Sequence, residues 1–256
     1  MFPVRSSVTG VRGAKVTVAL ALANVLVFLF ETSLPPESLD ALVGTFGLLP
    51  ARSTALFVHD PLDIGGWLLP VLTSAFLHGG WAHLVGNVLF LWVFGRALES
   101  RLGPAKLALL YGLSAIGAAL MQVLASPFSN IPMIGASGAV AGLLGAHLLL
   151  FPKARVTVLF PVFIFPLFFE VPAFLFLGVW FLEQLFAGAW LSLSPLAAQA
   201  GGVAWWAHVG GFVAGAVVIL SMALERARAT SRRAAPHVPP TVLLDERGRL
   251  VRHVRF

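Results

Sequence analysis

The chain has 256 residues, of which 58% are hydrophobic and only 11% charged. A soluble domain carries about 25% charged residues, so a soluble enzyme, a nucleic-acid binder and a disordered chain are excluded as wholes. The net charge of +6 comes from basic residues set between apolar runs, which suits an anionic membrane surface, and the absence of cysteine removes any thiolate nucleophile, disulfide or cysteine metal site.

A membrane-crossing helix needs about 20 predominantly apolar residues. Six stretches qualify, at residues 15–31, 83–98, 107–124, 137–151, 171–187 and 204–224, the fourth being short. No small-residue cleavage site follows the first run, so it reads as an uncleaved span and not a signal peptide. Residues 32–66 form a long loop whose Phe46, Leu48 and Leu49 suit it to the membrane interface. Apolar residues from Trp67 onward can lead into the second span. The run 156–169 is apolar but holds Pro161 and Pro166, which break helices. It is expected to be an interfacial or re-entrant lead-in to the fifth span, not a seventh crossing. After residue 225 the chain is rich in arginine, with Pro236, Pro239 and Pro240, and is expected to be a flexible anchor on anionic lipid. Residues 241–254 have the pattern of a small hairpin around 245–248. The fold class expected is an all-α polytopic membrane protein of six helices. Its parts are a cytoplasmic stub at 1–14, the bundle at 15–225 and a basic cytoplasmic tail at 226–256.

The charges support this count. Arg5, Arg12 and Lys15 precede the first span, whereas Glu31, Glu37, Asp40, Asp60 and Asp63, with only Arg52, separate the first from the second. Arg96, Arg101 and Lys106 follow the second, and no basic residue lies between 125 and 135. Lys153 and Arg155 follow the fourth, the loop 188–203 is uncharged, and eight arginines follow the sixth. Basic and non-basic loops alternate, so both ends are expected in the cytoplasm.

Ionisable groups in a bilayer are costly and mark function. Outside the tail and the loop residue His59, the histidines are His78, His83, His147 and His208. His83 and Asn87 are four apart and share a helix face, with His78 just before it. Two readings apply: hydrogen-bond donors into the bundle, or a polar clasp for the loop. A metal site is disfavoured because no carboxylate accompanies them at helical spacing. Ser137 begins the fourth span, flanked by Gly135 and Gly138, and Gly142 lies four beyond Gly138. Alone, this glycine pattern reads equally as helix packing. His208 begins the sixth span, with Gly211 and Gly215 on a close-packing face, so the fourth and sixth helices are expected to touch. By topology the second, fourth and sixth spans all start outside. Ser137, His208, His83 and Asn87 therefore share one depth. A serine needs an adjacent base, and acyl transfer needs donors aimed at the oxyanion. His147, ten residues below Ser137 on one helix, is about 15 Å away and is a poor base.

On these residues the chain resembles the rhomboid intramembrane serine proteases. The resemblance rests on His78, His83 and Asn87, on Gly135-Ala-Ser-Gly138, and on Ala207-His208 with Gly211 and Gly215, all in the family's order. Glu99, Arg101 and Gly103, and Trp180 with Gln184, match further family patterns. It implies a six-helix rhomboid-like bundle with a Ser137–His208 dyad. It implies an oxyanion site from the Ser137 amide, His83 and Asn87, with His78, Gly135, Gly138, Gly211 and Gly215 structural or positioning. It also implies cleavage of transmembrane protein substrates, with membrane lipids as the other partner and neither metal nor cofactor. Two positions depart from the pattern. Ala141 stands where some rhomboids place a tyrosine that stacks on the histidine, and Leu68 follows Trp67 where some have arginine. Glu183, the one acid deep in a span, reads by depth as a third catalytic member or as a structural or gating residue. Two other functions were weighed: an inactive relative that binds membrane helices, which would be expected to lack the serine or histidine, and a small transporter, for which no inverted repeat is seen. Richness in alanine, arginine and tryptophan, with few lysines, suggests a GC-rich bacterial genome and so a bacterial inner membrane, and the topology is expected to open the site outward.

Overall fold

α1 (Lys15–Thr32) is mostly apolar, broken within the span by Thr17 and Asn24, and its start has no cap of its own. Glu99 supplies one from a distant helix. Its carboxylate accepts the N–H groups of Val16 and Thr17 at 3.0 and 2.9 Å and the Thr17 hydroxyl at 2.7 Å. An anion there answers the unpaired N–H groups and the positive end of the helix dipole. The structure, a computed structural model, describes residues 2–8, 13–162, 165–193, 203–234, 241–244, 246–248 and 250–254.

The segment expected as a loop holds two helices, α2 (Pro36–Phe46) and α3 (Pro50–His59), each opened by a proline. Proline's fixed φ suits the first helical position. The Arg52 guanidinium donates to the carbonyls of Gly44, Thr45 and Gly47, closing the end of α2. The apolar lead-in from Trp67 lies in α4 (Ile64–Thr73), whose start is capped by Asp63 accepting from the Gly66 N–H at 2.8 Å. A single crossing, Trp81–Leu102, follows; it is built of α5 (Trp81–Phe90), a π turn at Leu91–Gly95 and α6 (Arg96–Leu102). Gly103, at φ +82°, reverses the chain at once into α7 (Pro104–Ala125). Few residues other than glycine tolerate that conformation.

α8 (Ser137–Leu150) is buried along nearly its whole length and forms the bundle's centre. α9 (Ala173–Leu193) and α10 (Trp205–Ala234) are the last helices among the described residues, α10 running beyond the expected end at residue 224. Among the described residues, five helices are long and apolar enough to cross a membrane. α8 has 14 residues, or about 21 Å, and is the short fourth member of the expected six.

The run 156–169 is not helical. Arg155–Val162 (β2) and Phe165–Pro172 (β3) form an antiparallel hairpin, and β1 (Phe2–Ser6) pairs with β2. β-branched Val156, Thr157 and Val158 favour a strand. Pro161 and Pro166, directly opposite each other, would each break a helix. Val156 and Val158 join the core with Phe94, Leu144 and Phe176. The expected bundle is thus helical with a small sheet added, and residues 2–6 of the expected stub are part of that sheet.

The chain divides into two compact units, Met1–Ile219 and Leu220–Phe256. The second contains the end of α10 and the hairpin of β4 (Thr241–Leu244) and β5 (Leu250–Val254), at the position expected from the sequence.

Glycines let α8 and α10 meet backbone to backbone. A Cβ added at Gly211 would run into the Gly138 carbonyl, and one at Gly215 into that of Gly142. A Cβ at Gly138 would meet Ala118 on α7 at 2.5 Å. Backbone atoms cannot swing aside as a flexible side chain can. Gly211→Leu is therefore expected to lose more than the usual 1–3 kcal/mol of overpacking. Thermal unfolding in detergent checks this, with Gly112→Leu as the control at a glycine with open space around it.

Candidate active site

The chain enters α8 through Gly135, held at φ +119°. Its N–H donates to the Ser74 carbonyl at 2.8 Å, and Ala136 beyond it is fully buried. This turn leaves Ser137 half-buried at the first position of the helix, where the N–H groups lack helical acceptors.

Opposite it stands His208, on the first turn of α10 and 9% exposed. Its Nε2 lies 2.8 Å from the Ser137 Oγ. Its Nδ1 lies 2.7 Å from the Gln184 Oε1 on α9. The Gln184 Nε2 donates to the Trp180 carbonyl at 3.1 Å, one turn back. Its Oε1 is therefore the acceptor that faces the histidine. His208 then carries its proton on Nδ1 and offers Nε2 as an acceptor to the serine O–H. The Trp180 ring lies against His208 at 5.8 Å and 36°, with Trp205 edge-on at 6.2 Å. Ala141 is buried and supplies no such ring. Trp180 and Gln184 thus hold His208 from α9.

His83 and Asn87 reach the same turn from α5. A Cβ at Gly135 would meet the His83 ring at 2.5 Å and the Asn87 Nδ2 at 3.5 Å, so glycine is required there by space as well as by φ. The Asn87 Nδ2 is buried without a protein partner. An unmet buried donor is costly and marks a place where an acceptor is expected to dock. His78 lies behind, its ring 5.2 Å from that of His83. Its backbone N–H donates to both oxygens of Glu31, at 3.2 and 3.1 Å, and its Nδ1 donates to the Phe76 carbonyl at 3.0 Å. Burial pushes the His78 imidazole down to about 4, with His83 adding to the shift and the Phe76 carbonyl opposing it. The Glu31 carboxylate thus ties this segment to the last turn of α1, where Glu31 is buried at the end of the expected span 15–31.

Ser137, His208 and His83 open into one cavity of about 910 Å³, whose lining also includes Gln122, Met133 and Trp206. Gln122 also accepts the Ala207 N–H at 3.2 Å, steadying the start of α10. Nothing in the sequence singled it out. Glu183 is exposed on a different face of α9 from buried Gln184, and Gln184 occupies the position a triad acid would need. His147 is fully buried against Phe94 and Phe151, at 5.0 and 5.1 Å, away from the cavity. Among the described residues no three His, Cys, Asp or Glu side chains gather as metal ligands do.

Comparison with known proteins identifies the family. A family model described as the Rhomboid domain matches residues 66–224. Rhomboid protein 1, mitochondrial, of Saccharomyces cerevisiae is 33% identical over 173 residues, which is 65% of this chain and 46% of that protein. Rhomboid protease GluP of Bacillus subtilis is 35% identical over 129 residues, covering 50% of this chain and 23% of the relative. RHOMBOID-like protein 4 of Arabidopsis thaliana is 34% identical over 148 residues, covering 50% and 36%. The chain thus spans less than half the length of each of these three.

Proposed function

The chain belongs to the rhomboid family, and on that footing we propose that it is an intramembrane serine endopeptidase with Ser137 as nucleophile and His208 as base. The observation that carries this reading is the serine–histidine contact of 2.8 Å beside an unmet buried amide donor. Ser137 Oγ attacks the scissile carbonyl as His208 Nε2 takes its proton. The carbonyl oxygen gains charge and is received by the Ser137 N–H, Asn87 and His83. His208 then gives its proton to the leaving amine, and water from the cavity hydrolyses the ester by the same route. A substrate helix hides its carbonyls in its own hydrogen bonds, so the scissile segment must unwind first. Substrates are therefore transmembrane proteins with helix-weakening residues near the cleavage point. No step needs a metal or cofactor.

The alternating charges support an inner-membrane protein with both ends in the cytoplasm and the cavity opening outward. Residues 15–225 are the protease domain, flanked by the segment 1–14 and the basic tail 226–256. A cysteine placed at Asp40 is expected to react with an impermeant maleimide from outside intact cells. Reaction only after permeabilisation would invert the topology.

Purified protein in liposomes is expected to cut a model transmembrane substrate. Asn87→Ala should lower kcat by about 10²–10³-fold, the usual value of one oxyanion donor. KM should change little, because the donor acts on charge that forms during reaction. Helix capture without cleavage by the intact protein would support the inactive binder instead.

A further inference from the structure

The sheet is the feature that proteolysis leaves unused. It follows α8, so it stands at the end of the bundle opposite Ser137. We propose that the β2–β3 hairpin is a re-entrant lipid anchor whose apolar part, Leu159 and Phe160 with residues 165–168, is held in the acyl chains of the near leaflet.

Four observations converge. First, polarity changes along the strands. Arg5, Thr157 and Glu170 lie side by side in one row near the base. Two residues further on, the row on the same face is Phe2, Leu159 and Phe168. On the other face Phe160 pairs with Leu167. Beyond the base both faces are apolar, and Phe165 and Phe168 are 67% and 60% exposed. A hairpin in water would keep one face polar.

Second, the sheet stands beside the bundle. β1 lies against α5 and the π turn, well inside the crossing Trp81–Leu102. Third, β3 continues without a break into the spanning helix α9, whose Phe174 and Leu175 are also exposed. Fourth, Lys153 and exposed Arg155 flank the base, where anionic headgroups would meet them.

Length agrees. Five steps from Thr157 to Val162, the end of β2, span about 16 Å at ~3.3 Å each, close to half of a ~30 Å hydrocarbon layer. An open strand edge in hydrocarbon leaves backbone donors unmet. β3 forms that edge, and Pro166 and Pro172 remove two N–H groups from it.

The chain has no cysteine, so single cysteines can carry an environment-sensitive fluorophore. Labels at Phe168 and Leu167 report the two faces, in vesicles of phosphatidylethanolamine and phosphatidylglycerol. Leu120, exposed on the spanning helix α7, is the lipid reference, and exposed Glu246 in the tail is the aqueous one. Retained substrate cleavage shows that each variant is folded. Both hairpin labels are expected to follow Leu120, with blue-shifted emission, quenching by nitroxide lipids and several-fold weaker quenching by iodide than at Glu246. Iodide quenching equal to that at Glu246 would place the apolar part in water and overturn the proposal. Shielding from both quenchers that disappears on dilution with lipid would mean a second copy covers the hairpin, and would overturn it equally.

Discussion

Ser137→Ala is expected to reduce peptide-bond cleavage by about 10⁴-fold or more while the bundle keeps its stability. The serine hydroxyl contacts the His208 Nε2 and lies at the edge of an open cavity, so its removal leaves no packing defect in the core. The chemistry loses its only nucleophile. His208→Ala should cost as much, because an unassisted serine hydroxyl is a poor nucleophile at neutral pH. The double variant should be no worse than either single one, since the two groups act as a unit. The measurement is kcat of purified protein on a transmembrane substrate, with thermal unfolding to establish folding. A serine-directed fluorophosphonate should label the parent chain, fail on Ser137→Ala and fail on His208→Ala. Cleavage by purified Ser137→Ala at the parent rate would sink the serine-protease reading.

The parts of this site differ in how far a sequence can disclose them. Helix positions were legible because apolar runs and alternating charges are written directly into composition. The approach of α8 to α10 was legible because Gly138, Gly142, Gly211 and Gly215 have no use at helical spacing except close packing. The sheet was hidden. Apolar residues 156–169 have nearly the same hydropathy in a re-entrant helix and in a strand, and periodicity alone does not separate short apolar runs. Helices α2 and α3 were hidden because residues 32–66 lie between two spans and are too mixed in polarity to cross a membrane, and short helices opened by proline leave no mark on a span count. The partner of Glu31 was hidden because it is set by tertiary contact, here the His78 N–H that its carboxylate accepts. The partner of His208 was not readable at all. It depends on how α9 is rotated against α10, and one position of error at Gln184 turns the helix by about 100°.

That rotation underlies the second large effect. Gln184→Leu is expected to lower kcat by about 10²-fold with KM little changed, whereas Glu183→Gln is expected to stay within a few-fold of the parent. The His208 Nδ1–H has one acceptor, the Gln184 Oε1 at 2.7 Å, and that oxygen is aimed by the amide's bond to the Trp180 carbonyl. Leucine fills the space but accepts nothing. The imidazole would then lose the bond that fixes its tautomer, and the form with Nε2 protonated cannot take the serine proton. Loss of a tautomer-fixing carboxylate costs about 10⁴-fold in the triad of serine proteases. A neutral amide stabilises the imidazolium less, so the loss here is smaller. Gln184→Glu keeps an acceptor in place and should recover most of what leucine loses, which a simple packing role would not allow. Glu183 is exposed on another face of α9, where no rotamer reaches a histidine that Gln184 already holds. The steady-state kcat and KM of the three variants decide the matter. If Glu183→Gln lowered kcat as severely as His208→Ala while Gln184→Leu did not, the dyad steadied by an amide would be wrong, and a carboxylate triad would have to replace it.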